Sequence, residues 1–252
     1  MQLVSNIKKA LRQNEFELHY QPKVELSNGR TSGLEALIRW HHPEQGDLLP
    51  AEFIPVAEQM GLMKELTEWV MATALKQNRD WRGTGICTPV AVNVSARSFQ
   101  DHHFVQSVKN ALEIAEVSPE CLELEITENI LMSNIDFAAK IVKSLSDLGV
   151  RIAIDDFGTG YSSLSYLKCL AIDQLKIDKS FVKNMDRDSN DAAIVMSVIE
   201  LGHNLGFKVV AEGVERDEPM KILRDLGCDT AQGYHISRPM PTAEATSWLT
   251  HM

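Results

Sequence analysis

Two hydrophobic rhythms alternate along the chain from end to end. Short apolar runs that read as strands fall at 16–20, 33–40, 88–94, 121–127, 150–155, 173–178, 207–212 and 228–234, the first two joined through a turn at Ser27-Asn28-Gly29. Between the later runs, apolar residues recur three or four apart, the spacing of one helix face. Phe104, Val108, Ala111 and Ala115 form one such stripe. Phe137, Ile141, Leu145 and Leu148 form a second, and Ile194, Val198, Leu201 and Leu205 a third. Gly149, Gly206 and Gly227 stand where a helix would end before the next strand. Eight strands alternating with helices predict an α/β chain closed into a single (β/α)8 barrel rather than an open sheet. No Gly/Ser/Pro-rich linker or charge block marks an internal boundary. The expected organisation is a helix within residues 1–14, linking to an upstream domain, and one barrel over 15–252.

Alternation within the strands sorts the polar residues, because successive side chains in a strand point to opposite faces. In Val90-Ala91-Val92-Asn93-Val94 the valines share one face and Asn93 the other. Leu122, Leu124 and Ile126 oppose Glu125; Ile152 and Ile154 oppose Asp155; Leu175 and Ile177 oppose Lys176 and Asp178. The aliphatic face should meet the outer helices, so the polar set points into the lumen, near the C-terminal strand ends where barrels of this kind place their active sites. Glu35 and Arg39 share a parity on the second strand, and Glu212 and Gln232 end the last two. Acids so close together repel unless they are protonated or bridged by cations.

An all-oxygen donor set without His or Cys suits hard ions such as Mg²⁺ or Mn²⁺. Two such ions sharing Asp155 would activate a water for attack on phosphorus, with Lys176 orienting the water or stabilising the growing charge. The alternative is an internal ion-pair network in which Lys176 and Arg39 neutralise the acids.

Composition narrows the class. At 44% hydrophobic and 24% charged residues the chain is a soluble globular type, and its net charge of −10 carries no footprint for long nucleic acid. No apolar run reaches the ~18 residues of a membrane span, and the start does not resemble a signal peptide, so the expected location is cytoplasmic. Cys87, Cys121, Cys169 and Cys228 lack paired spacing and are expected as reduced, mostly buried thiols.

The motifs then converge. Glu35-Ala36-Leu37 with Arg39 resembles the motif that names the EAL domain, the bacterial cyclic di-GMP phosphodiesterases. So do, in order, Tyr20-Gln21-Pro22, Phe53–Glu58, Asn93-Val94-Ser95, Glu125-Ile126-Thr127-Glu128, Asp155–Ser163, Leu175–Asp178, Ala211–Glu215 and Gln232-Gly233-Tyr234. The resemblance spans about 16–241, and its one noted departure, Ile126 where leucine is commoner, leaves every expected acid in place.

It implies a modified TIM-type barrel with an antiparallel first strand, and hydrolysis of cyclic di-GMP to linear pGpG. By resemblance, Glu35, Asn93, Glu125 and Asp155 hold one metal ion and Asp155, Asp156 and Glu212 serve the second. Catalysis is implied for Glu35, Lys176 and Glu212, and ligand contact for Gln21, Leu37, Arg39, Asp178, Glu215 and Gln232. Glu128 with Phe157, Gly158, Thr159 and Gly160, in the 156–163 loop, couples the site to a homodimer. The implied metals are two Mg²⁺ or Mn²⁺ ions, with Ca²⁺ binding but inhibiting, and the implied partner in a longer chain is an upstream sensor or GGDEF domain.

Two other readings stay open: a catalytically silent receptor for the same ligand, and an unrelated metal-dependent barrel enzyme acting on a small phosphorylated substrate. Other signals point to structure. Gly158-Thr159-Gly160 lacks the context of a phosphate cradle and reads as a loop hinge. His41-His42 and His102-His103 have no ligand partners at useful spacing. Met60, Met63 and Met71 read as core, and Trp40 as strand-end packing or a base-stacking surface.

Overall fold

The computed structural model describes residues 2–160 and 167–251, and side chains from Asn6 onward. Tyr161, Ser162 and Ser163 of the quoted loop motif lie outside the described residues. Ten strands form one sheet: β1 (Phe16–Glu25), β2 (Thr31–His42), β3 (Gly46–Leu48), β4 (Val90–Asn93), β5 (Leu122–Thr127), β6 (Arg151–Phe157), β7 (Gln174–Ile177), β8 (Lys208–Ala211), β9 (Thr230–Ala231) and β10 (Met240–Pro241). Eight of them close a barrel in the order β1-β2-β4-β5-β6-β7-β8-β9, with β9 returning to β1. The two short extras, β3 and β10, extend β2 and β1.

Connection length sets the strand directions. A tight turn joins β1 to β2, and such a turn can connect only antiparallel strands. β1 is therefore antiparallel to both its neighbours, while the helix-linked pairs from β2 through β9 are parallel. The predicted outward face is as expected: Val90, Val92, Leu122, Leu124, Ile126, Ile152, Ile154, Leu175 and Ile177 are all buried against the helices. Each contributes roughly 1.5–3 kcal/mol of burial. The inward face is polar, with Gln21, Lys23, Glu35, Glu123, Glu125, Asp155, Lys176 and Gln232 buried among small Ala91 and Ala153. Barrels of this type usually fill that space with branched aliphatics.

An aromatic cluster anchors the rim end of β2. Trp40 packs 5.3 Å from Phe16 and edge-on to Phe53 at 5.5 Å, and its indole donates to Glu15 at 3.1 Å. Trp40 is thus fully buried packing and not a base-stacking surface.

Several expectations need correction. In the helix Ser189–Leu205 the buried face is Val195, Val198, Ile199 and Gly202, with Ile194 exposed. Gly202 rolls the helix this way, because a Cβ there would stand 2.5 Å from Val209 Cγ2 and the backbone can approach β8 only without one. Gly202→Ala should therefore overpack this contact and cost about 1–3 kcal/mol, read as a lower urea midpoint. An unchanged midpoint would show that the helix can shift freely. Met60 is exposed at its helix end, although Met71 is core. The thiols are not mostly buried: Cys228 is buried, Cys121 intermediate, and Cys87 and Cys169 exposed.

Candidate active site

The decisive local event is at the end of β6. Between Ile154 and Phe157 the register with β7 slips by one residue, so Asp155 and Asp156 together oppose the single Lys176. Asp156 takes a left-handed φ of +53°, which costs roughly 1–2 kcal/mol for a residue with a Cβ. Such a bulge re-aims a side chain that strict alternation would send outward. As a result, oxygens of Asp155, Asp156 and Glu212 all lie within 4.8 Å of one another.

Beside them, Glu35 on β2 is held by two amides. Asn93 Nδ2 donates to its Oε1 at 2.7 Å, and Gln232 Nε2 to its Oε2 at 2.5 Å. The same Gln232 nitrogen donates to Gln21 Oε1 at 3.1 Å, and Gln21 Nε2 donates to the Ser237 carbonyl at 2.9 Å. With its nitrogen committed to these acceptors, Gln232 Oε1 is left buried without a hydrogen-bond partner. A buried polar atom in that state is an opening for a ligand or ordered water.

Lys176, fully buried, joins the two halves. Its Nζ lies 2.5 Å from Glu125 Oε2, 2.6 Å from Glu212 Oε1 and 3.1 Å from Asp155 Oδ1. Part of the anticipated ion-pair network therefore exists, but its second cation is Lys23 on β1, not Arg39. Lys23 reaches Glu123 and Glu125, each at 2.5 Å. Arg39 donates instead to the Ile38 carbonyl at 2.9 Å. Two ammonium groups thus face five lumenal carboxylates, Glu35, Glu123, Glu125, Asp155 and Glu212.

Burial would raise Glu125, but Lys176 and Lys23 outweigh it and hold the carboxyl at about 2. Glu35 is pushed up by burial and by Glu125. Burial, then Asp155, Glu35 and Glu125, push Glu212 to about 8 against the pull of Lys176. Asp156 rises to about 6 through burial and the charges of Asp155 and Asp178. Asp178 sits below its ordinary value: burial opposes this, but the hydroxyl and amide of Ser180 outweigh it.

An acid raised by its neighbours is a cation site in waiting, and the oxygen-only donors suit a hard divalent ion. The folded protein keeps the Glu212 proton from the ordinary value of 4.5 up to about 8, a range in which the unfolded chain has released it. Metal-free stability should therefore fall as pH rises through that window. Mn²⁺ binding should release protons and tighten with pH. Calorimetry in buffers of differing ionisation enthalpy measures the release, and zero net release near pH 7 would contradict the raised values.

The remaining expected residues are spread around this centre. A cavity of about 270 Å³ is walled by Gln21, Glu35, Leu37, Asp155, Glu212, Glu215 and Gln232, with Lys179 and Tyr234 at its edge. Glu215 is exposed, 3.3 Å from Lys183. A second hollow of about 470 Å³, mostly apolar, adjoins it at Leu37 and includes Asn93, Ile54, Met63 and Thr127. Asp178 and Arg39 stand outside the cavity wall formed by the described residues; Asp178 caps the following helix through Ser180 N at 3.0 Å. Buried Glu128 accepts a hydrogen bond from Gly158 N at 3.1 Å, and a Cβ at Gly160 would stand 2.7 Å from its Oε1. Thr159 donates to the Asp156 carbonyl at 2.8 Å, and Phe157 is buried. The loop is thereby tied to both Glu128 and the acid cluster.

Residues 4–239 match the EAL domain. The chain belongs to the EAL domain family. Among relatives of this EAL domain is the bifunctional diguanylate cyclase/cyclic di-GMP phosphodiesterase MucR of Pseudomonas aeruginosa, 45% identical over 97% of this chain and 36% of MucR. The cyclic di-GMP phosphodiesterase NbdA of the same species is 42% identical over 99% of this chain and 32% of NbdA. The EAL chain thus spans about a third of the length of these relatives. A solved structure described as the PaMucR phosphodiesterase in complex with c-di-GMP superposes with a TM-score of 0.94 at 45% identity, covering 97% of this chain and all of that one.

Proposed function

We propose that this EAL domain is a divalent-metal-dependent phosphodiesterase that opens cyclic di-GMP to linear pGpG. The observation that carries the reading is the convergence of Asp155, Asp156 and Glu212 beside an amide-clamped Glu35. Similarity to MucR and NbdA, and to a complex with c-di-GMP, supplies the substrate class. Glu35, Asn93, Glu125 and Asp155 would hold one Mg²⁺ or Mn²⁺ ion, and Asp155, Asp156 and Glu212 the other. When bound, such ions supply Lewis-acid charge at the phosphoryl group and lower the pKa of the attacking water.

The chain's own groups do the rest. Asn93 and Gln232 fix the Glu35 carboxylate, which removes a rotamer search from the reaction. Lys176 places a permanent positive charge among the acids, where negative charge grows on phosphorus oxygens. Arg39, at the rim, has the planar donors suited to a phosphate, and Leu37 separates the two hollows so that the ligand can lie across both. Gln21 and Glu215 line the wall, and Asp178 steadies Asp156 from behind. Lys179 and Tyr234 add a cation and an aromatic face at the mouth.

Homodimerisation through the region of Glu128 and Gly158–Gly160 would let the loop report on the acid cluster. In a longer chain such as those of the relatives, an upstream sensor or GGDEF domain would supply the input, in the cytoplasm; no helix among the described residues is long and apolar enough to cross a membrane. The test is chromatography of cyclic di-GMP incubated with the protein in Mg²⁺ or Mn²⁺, with EDTA and Ca²⁺ controls. Formation of pGpG that EDTA abolishes and Ca²⁺ fails to support is expected, because Ca²⁺ tolerates irregular coordination. Ligand binding without product would make the domain a receptor. Neither binding nor product would reject the substrate.

A further inference from the structure

Lys23 lies two residues beyond Gln21 on β1, buried toward the floor of the barrel. Its register partner is Gly33, and the small side chain of Ala91 lines the same space, which leaves room for a long side chain. Its ammonium bridges Glu123 Oε1 and Glu125 Oε1, each at 2.5 Å. Glu123 takes a second donor, Gln174 Nε2, on its other oxygen at 2.7 Å. Glu125 takes Lys176 on its other oxygen, also at 2.5 Å. The buried charges therefore run as one chain, Glu123, Lys23, Glu125, Lys176, and end at Asp155 and Glu212 on the rim.

We propose that Lys23 is a positioning residue for the reaction, holding Glu125 in the orientation that lets the rim carboxylates take up metal. This rests on the phosphodiesterase reading above. A floor pair of Lys23 and Glu123 alone would be self-contained, and such pairs are commonly replaceable by apolar side chains. The arm to Glu125 is what makes this pair more than filling. Glu125 is pinned by one ammonium on each oxygen, and without Lys23 its Oε1 loses that donor. The carboxylate then turns fully onto Lys176, drawing that ammonium away from Asp155 and Glu212.

Three variants separate this role from a structural one: Lys23→Met, Lys23→Met with Glu123→Gln, and Glu123→Gln alone. Melting temperature, Mn²⁺ affinity by calorimetry, and kcat and KM for cyclic di-GMP are read for each. Lys23→Met should lower the melting temperature, weaken Mn²⁺ binding, and cut kcat, each functional loss about 10–100-fold, the range for a group that orients metal ligands. Adding Glu123→Gln removes the stranded charge, so the melting temperature should recover while Mn²⁺ affinity and kcat stay low and KM stays within about two-fold. Glu123→Gln alone should keep wild-type Mn²⁺ affinity and kcat.

Recovery of both in the double variant would overturn the proposal, leaving Lys23 as a counter-ion to Glu123. Equal loss in Glu123→Gln alone would overturn it as well. Should the wild type prove inactive on cyclic di-GMP, the Mn²⁺ affinities still decide the role of Lys23, while the substrate assignment fails separately.

Discussion

Glu35→Ala should lower kcat/KM for cyclic di-GMP by about 10³-fold or more, the scale expected when a preorganised group is removed from the reacting centre. The fold should survive, and the reason is electrostatic. Glu35 is one of five lumenal acids facing two lysines, and burial and Glu125 already oppose its charge. Its removal relieves repulsion. The cost is confined to two amide donors: Gln232 Nε2 keeps Gln21 as an acceptor, so Asn93 loses most. The melting temperature of the metal-free variant should match or exceed wild type, and its Mn²⁺ affinity should fall. Wild-type turnover would remove Glu35 from the site, and a collapsed melting transition would make the loss of activity structural.

Lys176→Met should produce the opposite pattern. Lys176 touches Glu125, Asp155 and Glu212 from a fully buried position. Deleting one partner of a buried ion cluster strands the others and costs about 3–5 kcal/mol. Some of that loss is softened by protonation of Glu212, which is already pushed up to about 8. Divalent cations replace the missing charge, so added Mn²⁺ should restore more stability to the variant than to wild type. Turnover should still fall by about 10²–10³-fold with KM little changed, because the charge is needed where the transition state is more negative than the substrate. Denaturant midpoints with and without Mn²⁺, together with steady-state kinetics, check both halves. A rise in KM at constant kcat would assign Lys176 to ligand binding, and an unchanged midpoint would contradict the ion network.

Much of the site was legible because a barrel strand has only two faces. Alternation alone puts Asn93, Glu125, Asp155 and Lys176 on the lumenal side of their strands, where each is found at or near the rim. The same rule could not find Asp156. One residue after Asp155 it should point outward, and only the slipped register and the left-handed φ bring it back. Neither has a periodic signature, so motif resemblance alone named it.

Lys23 was missed for a different reason. Pro22 cannot donate to a ladder and reads as a strand end. The sequence reads as a strand over 16–20 only, yet β1 continues to Glu25 and carries Lys23 into the lumen. Glu123 shares the parity of Glu125 and could have been read from it. The helix Ser189–Leu205 shows the limit of apolar periodicity: close approach at Gly202 matters more than the position of Ile194. Lys179 and Tyr234 follow the strand ends in loops and helix starts, where no repeat marks orientation.

The measurement that bears most directly on the central claim is a crystal structure of the Mn²⁺-soaked protein with anomalous scattering recorded at the manganese edge. Two peaks are expected at the rim, one against Glu35, Asn93, Glu125 and Asp155, the other against Asp155, Asp156 and Glu212. An empty rim with the Lys176 contacts unchanged at saturating Mn²⁺ would contradict the account, and would leave the lumenal acids as an ion-pair network that holds the barrel together.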